Sequence, residues 1–194
     1  MRLEALDVFP VLETERLILT KIEPFYLESF YEIFSKEKVM EKYGMFPITE
    51  LKDGAWFIER FNDSFKNKRS IRWGLILKSN HKLIGTCGFH GFNELSSRAE
   101  MGYELDDQYW HKGLMREALE AIIKWGFTTF ELNRIEALIY PDNVASEQIV
   151  IRNGFVFEGC LRQYAYFRNV YQDLNMYSLL KEEWLIHENI SSRG

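Results

Sequence analysis

The residues with the clearest chemical use are Tyr109-Trp110-His111-Lys112-Gly113, which stand immediately before an amphipathic helical pattern. Backbone N–H groups in the first turn of a helix have no partner within the helix, and the helix dipole adds about half a positive charge there. Such a turn suits a pyrophosphate, and Lys112 adds a point charge. A glycine before a helix also occurs as an ordinary turn, so the structural alternative stays open.

A second set of residues borders a short helical pattern over residues 144–152. Asn143 is a natural N-cap for that segment, and Gly154 is a natural left-handed stop after it. Ser146 lies in the first turn, where a hydroxyl also serves as a turn residue. Capping alone accounts for these residues, so a function needs further support.

The other candidate reactive groups are three glutamates and one motif with the spacing of metal ligands. Glu100 and Glu104 share one face of a predicted strand by period-two counting, and Glu158 ends another strand. Each is also typical of an exposed carboxylate at a strand end. Cys87-x-x-His90 has the spacing of half a metal site and lacks a second pair, so we predict no metal.

Strand and helix patterns that position these residues alternate along the chain. Two-residue alternation and turn residues predict strands, and apolar spacing of three and four predicts helices. The predicted strands are 14–20, 71–78, 83–90, 99–105, 135–140, 155–158, 161–167 and 171–180, and the predicted helices are 25–34, 50–65, 115–130 and 144–152. This order predicts an α+β fold, a mixed sheet covered by helices.

Composition excludes several classes of protein. A chain of 194 residues with 46% hydrophobic and 27% charged residues is typical of one globular domain. The net charge of −5 disfavours nucleic acid as a direct partner and admits a cationic amine. Two cysteines make no disulfide framework, and neither a signal peptide nor a membrane-length apolar run is present. We expect a cytoplasmic protein without a membrane partner.

In chain order, four motifs resemble the GNAT superfamily of acetyl-CoA-dependent N-acetyltransferases. They are Gly102-Tyr103-Glu104-Leu105, Tyr109-Trp110-x-x-Gly113, Asn143-x-x-Ser146 and Asn153-Gly154-Phe155. The opening residues 12–17 and the closing residues 175–180 resemble its branch of ribosomal-protein N-terminal acetyltransferases, the Rim-type branch. The resemblance covers about residues 12–184 of a single domain 1–194. It implies a mostly antiparallel twisted sheet of about seven strands with about four helices.

The resemblance implies acetyl-CoA as co-substrate and no metal. The family's pyrophosphate signature Gln/Arg-x-x-Gly-x-Gly/Ala falls on Trp110, Gly113 and Met115, with Trp110 replacing Gln/Arg and Met115 replacing Gly/Ala. On the strand before it, a main-chain amide would polarise the thioester carbonyl. The implied cofactor-binding residues are Tyr103, Glu104, Leu105, Trp110, His111, Lys112, Gly113, Leu114, Met115, Asn143 and Ser146.

Catalytic roles also follow from the resemblance. Glu158 and Glu100 match positions proposed as the base, and Ser146 matches the hydroxyl that assists the leaving sulfur; Val150 replaces the tyrosine that many members use. The first acceptor class is a protein N-terminal α-amine, such as that of a ribosomal protein. A polyamine or amino sugar, or an acetyl-CoA-binding module without catalysis, are the alternatives, and a homodimer stays open.

Overall fold

The computed structural model describes residues 1–191. Within that part of the chain, eight strands form one sheet in the order β1-β2-β3-β4-β5-β6-β8-β7. The strands are β1 Leu12–Glu13, β2 Leu17–Thr20, β3 Ile71–Leu77, β4 Lys82–Asn93, β5 Arg98–Leu105, β6 Arg134–Ile139, β7 Val156–Phe167 and β8 Val170–Leu180. The α-helices are α1 Leu27–Phe34, α2 Glu37–Met40, α3 Leu51–Lys66, α4 Leu114–Thr128, α5 Val144–Arg152 and α6 Lys181–Ser191.

The pairing of β5 with β6 differs from every other contact in the sheet among the described strands. It is parallel and extends over three pairs only, Arg98 with Arg134, Ala99 with Ile135 and Glu100 with Glu136. Beyond these pairs β5 continues beside β4, and β6 continues beside β8. The two strands therefore diverge at Glu100 and Glu136, and a wedge opens in the middle of the sheet.

Helices cover both faces of the sheet because neighbouring strand residues point to opposite faces. Leu75 and Ile84 belong to the apolar cluster under α4, whereas Ile76 and Leu83 belong to the cluster under α1 and α3. Apolar residues of α4 recur three or four positions apart, so one stripe of the helix is buried. The wedge thus lies between two packed layers that hold it open.

Most of the predicted elements are confirmed. The hairpin of β3 and β4 forms as expected, and α5 covers residues 144–152 as predicted. The turn between β7 and β8 is the two residues Arg168 and Asn169, both with positive φ, as in a type I′ hairpin. The order of strands and helices gives the α+β fold, with eight strands in place of about seven.

The structure differs from the predicted elements in three places. The expected strand 14–20 begins as a turn, in which the amide of Thr14 donates to the carbonyl of Leu17 at 3.0 Å. The expected strands 155–158 and 161–167 form one bulged strand, β7. The C-terminal helix α6 was not predicted, since its apolar residues form a weak stripe. Within residues 1–191, no helix is long and apolar enough to cross a membrane.

Candidate active site

The wedge between β5 and β6 opens into a cleft of about 430 Å³. Its walls are the diverging parts of the two strands, the start of α5, the segment before α3 and the β7–β8 hairpin. The lining residues are Tyr43, Gly44, His90, Glu100, Met101, Gly102, Tyr103, Ala137, Leu138, Ile139, Tyr140, Asn143, Ser146, Tyr164, Ala165 and Leu174. The cleft brings together Glu100, Tyr103, Asn143 and Ser146 from the predicted site.

Two hydrogen bonds fix the part of β5 that follows Glu100 and is not paired with β6. The indole Nε1 of Trp110 donates to the carbonyl of Leu105 at 2.8 Å. The hydroxyl of Tyr103 donates to the carbonyl of Ser146 at 3.3 Å and so connects β5 with α5. Because β6 has turned away, this stretch of β5 presents an open backbone edge, to which an extended chain can add as a strand does.

The N-terminus of α4 stands where β5 ends. Gly113 has φ +74° and His111 has φ +60°, so the loop turns sharply before the helix. The amide of Glu117 donates to the carbonyl of Gly113 at 3.1 Å, which is the first bond of the helical ladder. The amides of residues 114–116 precede it, and such amides have no partner within their helix. They are suited to a phosphate group.

Arg16 is a cation at this loop that the sequence reasoning missed. Its Nη1 donates to the carbonyl of Lys112 at 2.8 Å, and its Nε lies 2.6 Å from Oε2 of Glu117. The turn that replaces the first half of the predicted strand 14–20 places it there. Arg16 belongs to the Rim-type opening motif, so the signal was present without a role attached to it.

The other predicted cofactor-binding residues around this loop have either buried or exposed side chains. Those of Leu105, Leu114 and Met115 are buried in the main apolar core, so only their backbone groups are available to a ligand. His111 and Lys112 are exposed.

The start of α5 forms the cleft wall opposite β5. The side-chain oxygen of Asn143 accepts the amide of Ser146 at 3.2 Å, which confirms its capping role. Both residues line the cleft. Val150 lies about one helical turn after Ser146 and is fully buried, and its side chain carries no hydroxyl.

Glu100 lies where β5 and β6 part, and its surroundings alter its acidity. Burial and the nearby charge of Glu136 raise the pKa of the Glu100 carboxyl, against a lowering by Arg98. His90 lies across the β4–β5 pair, with Nε2 3.7 Å from Oε1 of Glu100. Burial and the charge of Arg72 lower the pKa of His90 to about 4. The cleft therefore presents the Glu100 carboxyl, with its raised pKa, beside an imidazole that is neutral at pH 7.

Glu158 lies elsewhere, outside the residues that line the cleft. It binds Arg134 through both carboxylate oxygens, at 2.7 and 2.5 Å, and accepts the hydroxyl of Ser178 at 2.8 Å. These hydrogen bonds, chiefly those of Arg134, lower the pKa of Glu158 to about 2. A carboxylate held in this way accepts a proton poorly.

Glu104 has its side chain beneath the cleft, on the face of the sheet that α1 and α3 cover. Its carboxylate binds Arg72 and the hydroxyl of Thr86, and all three are buried. Nη1 of Arg72 also donates to the carbonyl of Gly102 at 3.0 Å. The buried pair thus fixes the backbone of β5 next to the open edge.

An aromatic pair and a cation connect the segment before α3 with the β7–β8 hairpin. The rings of Phe46 and Phe167 have centroids 5.0 Å apart, and the guanidinium of Arg168 lies over both rings. Arg168 also pairs with Glu37 of α2. The segment before α3 is in this way tied to the tip of the β7–β8 hairpin.

Metal-ligating side chains do not gather in groups of three or more anywhere in residues 1–191. In the fragment Cys87-x-x-His90, Cys87 is fully buried and burial raises the pKa of its thiol. His90 lines the cleft instead.

Comparison with known proteins gives a consistent result. Residues 16–156 match the family model described as an acetyltransferase (GNAT) domain. An N-acetyltransferase of Bacillus subtilis, YoaA, named as uncharacterized, is 37% identical over 174 residues, which are 90% of this chain and 98% of that protein. The ribosomal-protein-serine acetyltransferase of Escherichia coli is 37% identical over 97 residues, 50% of this chain and 54% of that protein. The crystal structure of an acetyltransferase of the GNAT family from Bacillus anthracis superimposes with a TM-score of 0.80 at 26% identity, covering 90% of this chain and all of that one.

Proposed function

The chain belongs to the GNAT acetyltransferase family, and on that premise we propose that it moves the acetyl group of acetyl-CoA to the N-terminal α-amine of a protein. The observation that carries the proposal is the divergence of β5 and β6 at Glu100, which opens a cleft between an unpaired strand edge and a carboxylate. The proposal joins a donor side along β5 to an acceptor side beside Glu100.

The donor side suits acetyl-CoA in shape and charge. Its pantetheine arm is an extended chain with amide groups, which can hydrogen-bond to the open edge of β5 as an added strand would. Its pyrophosphate is an anion, and the amides at the start of α4 with Arg16 and Lys112 form a positive end to the same edge. Asn143 and Ser146 lie across the arm from β5.

The reaction needs a direct attack and no covalent enzyme intermediate. The acceptor arrives as an ammonium ion and gives one proton to the Glu100 carboxylate, which passes it on to water. The freed nitrogen lone pair forms a C–N bond with the thioester carbon, the C–S bond breaks, and coenzyme A leaves as a thiolate. A main-chain amide of residues 103–105 stabilises the negative carbonyl oxygen. The second proton of the attacking nitrogen passes through Ser146 or water to the departing sulfur, which gives the neutral amide and coenzyme A as its thiol.

Glu100 is the better of the two proposed bases. It lines the cleft and its pKa is raised, so it holds a proton more readily than an ordinary carboxylate. Glu158 lies outside the lining and is committed to Arg134. We assign the proton transfer to Glu100 and a structural role between strands to Glu158.

An N-terminal α-amine is the acceptor that this site handles most easily. Its pKa is about 7.8, so roughly a quarter is neutral near pH 7.3, compared with roughly 0.1% of a lysine side chain. A single carboxylate with a raised pKa is sufficient for the α-amine. The name of the ribosomal-protein-serine acetyltransferase from Escherichia coli gives a protein as its acceptor, which supports a protein amine over a small-molecule amine here.

A thiol-release assay tests the proposal. Acetyl-CoA is incubated with peptides that begin with Ser or Ala, with the same peptides blocked at the N-terminus but carrying a lysine, with spermidine and with an aminoglycoside. We expect release with the free N-terminal peptides and only background with the blocked ones. Release with spermidine or the aminoglycoside alone would replace the acceptor class by a small-molecule amine. No release with any amine would contradict acetyl transfer to these acceptors.

A further inference from the structure

His90 lines the cleft, and the chemistry described above gives it no role. It is the direct cross-strand partner of Glu100, and its Nε2 faces Oε1 of that residue at 3.7 Å. After His90 the register of β4 and β5 shifts, and Gly91 takes φ +61°. The strand thus bends away immediately beyond the imidazole, which leaves the ring at the open end of the pair.

Gly102 provides the space in which this ring lies. A Cβ atom on Gly102 would be 3.4 Å from Nε2 of His90 and 3.1 Å from Nη1 of Arg72. The contact with Arg72 would be closer than ordinary van der Waals packing, and the contact with His90 would be at the lower limit of that packing. The glycine in the Gly-Tyr-Glu-Leu motif therefore lets His90 and Arg72 lie directly against β5.

The charged and titratable groups around His90 come from three parts of the fold. Arg72 lies near it on β3 and Glu100 faces it from β5. Tyr43, from the segment before α3, lines the same cleft and lies against Arg72, and Glu104 is bound to Arg72. Burial and the charge of Arg72 keep His90 neutral at pH 7, since its pKa falls to about 4. Burial also raises the pKa of Tyr43 to about 12. Glu100 is then the anionic group beside a neutral ring, and no imidazolium repels an incoming cation.

We propose that His90 Nε2 and Glu100 Oε1 form a two-point receptor for the acceptor nitrogen, in which His90 accepts a hydrogen bond and directs the lone pair toward the thioester. The inference rests on the proposed function and adds an acceptor-binding residue to it. A nitrogen that hydrogen-bonds to each atom at about 2.9 Å fits between two atoms 3.7 Å apart. One N–H proton passes to Glu100, and another stays hydrogen-bonded to His90, whose Nδ1 carries its own proton.

Substitutions at His90 separate this role from simple space filling. His90→Gln keeps a neutral acceptor at nearly the same reach, and His90→Phe keeps the ring but removes the acceptor. His90→Lys adds a cation. His187→Phe, at an exposed position on α6 outside the cleft, is the matched control. The acceptor is whichever free N-terminal peptide the wild-type protein acetylates, and folding of each variant is checked by its melting temperature.

We expect kcat/KM for the peptide to fall about 10- to 100-fold in His90→Phe and further in His90→Lys, because a hydrogen bond from a charged group is lost. His90→Gln should stay within about fivefold of wild type, and KM for acetyl-CoA should stay the same in every variant. A residue that only fills space would give the opposite order, with Phe better than Gln. That order, or equal activity of all variants, would refute His90 as an acceptor-binding residue and would leave the proposed acetyl transfer intact. If the wild-type protein releases no thiol with any amine, both the proposed function and the proposed role of His90 are refuted.

Discussion

Replacing Glu100 by Gln should make the reaction depend on the acceptor's own ionisation. The variant lacks the carboxylate that takes the ammonium proton, so it can use only the fraction of acceptor that arrives neutral. For an α-amine with a pKa of about 7.8, this fraction is about 5% at pH 6.5 and about 94% at pH 9. The activity of Glu100→Gln relative to wild type should therefore be about 20-fold lower at pH 6.5 than at pH 9.

Glu158→Gln is the matched control, with the same chemical change at a carboxylate outside the cleft lining. The hydrogen bonds from Arg134 and Ser178 lower the pKa of the Glu158 carboxyl to about 2. Because this carboxylate is a weak base, its replacement should remove little proton-accepting capacity. We expect its kcat/KM profile to run parallel to that of wild type from pH 6.5 to 9. The wild-type profile itself should fall at acid pH, as the pH passes below the raised pKa of Glu100, because the base must be ionised.

The assay measures kcat/KM for one free N-terminal peptide across this pH range, with the acetylated product quantified by chromatography so that detection does not change with pH. A Glu100→Gln profile parallel to wild type would refute Glu100 as the base and would point to water or to spontaneous loss of the proton. A profile that recovers at high pH in Glu158→Gln instead would show that the Arg134 pair opens during turnover.

Three further changes test the donor side and the support beneath it. Gly113→Pro cannot adopt φ +74°, so acetyl-CoA should no longer raise the melting temperature, whereas Gly154→Pro, at φ +87° away from the loop, should keep that shift. Ser146→Ala should lower kcat about tenfold or less and leave acetyl-CoA binding nearly intact, because coenzyme A thiolate is a good leaving group. Glu104→Leu should destabilise the fold by about 3–5 kcal/mol, since it leaves Arg72 buried without its counterion. The double change Arg72→Met with Glu104→Leu should recover most of that loss, as measured by urea unfolding.

Each of these three has a contradicting result. An unchanged acetyl-CoA shift in folded Gly113→Pro would exclude the loop as the pyrophosphate site. A loss above roughly 10³ in kcat for Ser146→Ala would show that protonation of the sulfur limits the reaction. A double variant as unstable as Glu104→Leu alone would mean that the unpaired charge of the buried Arg72 is not the cause of that loss.

The local elements were readable from the sequence because their signals are local. Asn143 and Gly154 delimit α5 by capping chemistry that involves only neighbouring residues. The stripe of α4 repeats every three or four residues, and the β7–β8 turn needs two residues that tolerate positive φ. Each of these features is complete within a few residues of chain.

The sequence predicted the ends of individual strands less well, because whether a strand continues or breaks depends on the strand that pairs with it. The sequence around Gly159 looks like a break, with glycine between two alternating runs. In the fold β8 pairs with residues on both sides, and register shifts absorb the extra residues as bulges. The turn at Thr14 also depends on a partner, since Glu117 of α4 accepts hydrogen bonds from Thr14 and Arg16.

The resemblance of the sequence to the GNAT family supplied the candidate site residues, and contacts between distant residues distinguish among these candidates. Glu100 and Glu158 were equal candidates in the sequence because a carboxylate's pKa is set by its neighbours in space. Arg134, 24 positions from Glu158, binds one of them, and the divergence of β5 from β6 exposes the other to the cleft. His90 and Arg16 gained their positions in the same way, through strand pairing and a turn that bring residues far apart in the chain to one cleft and one loop.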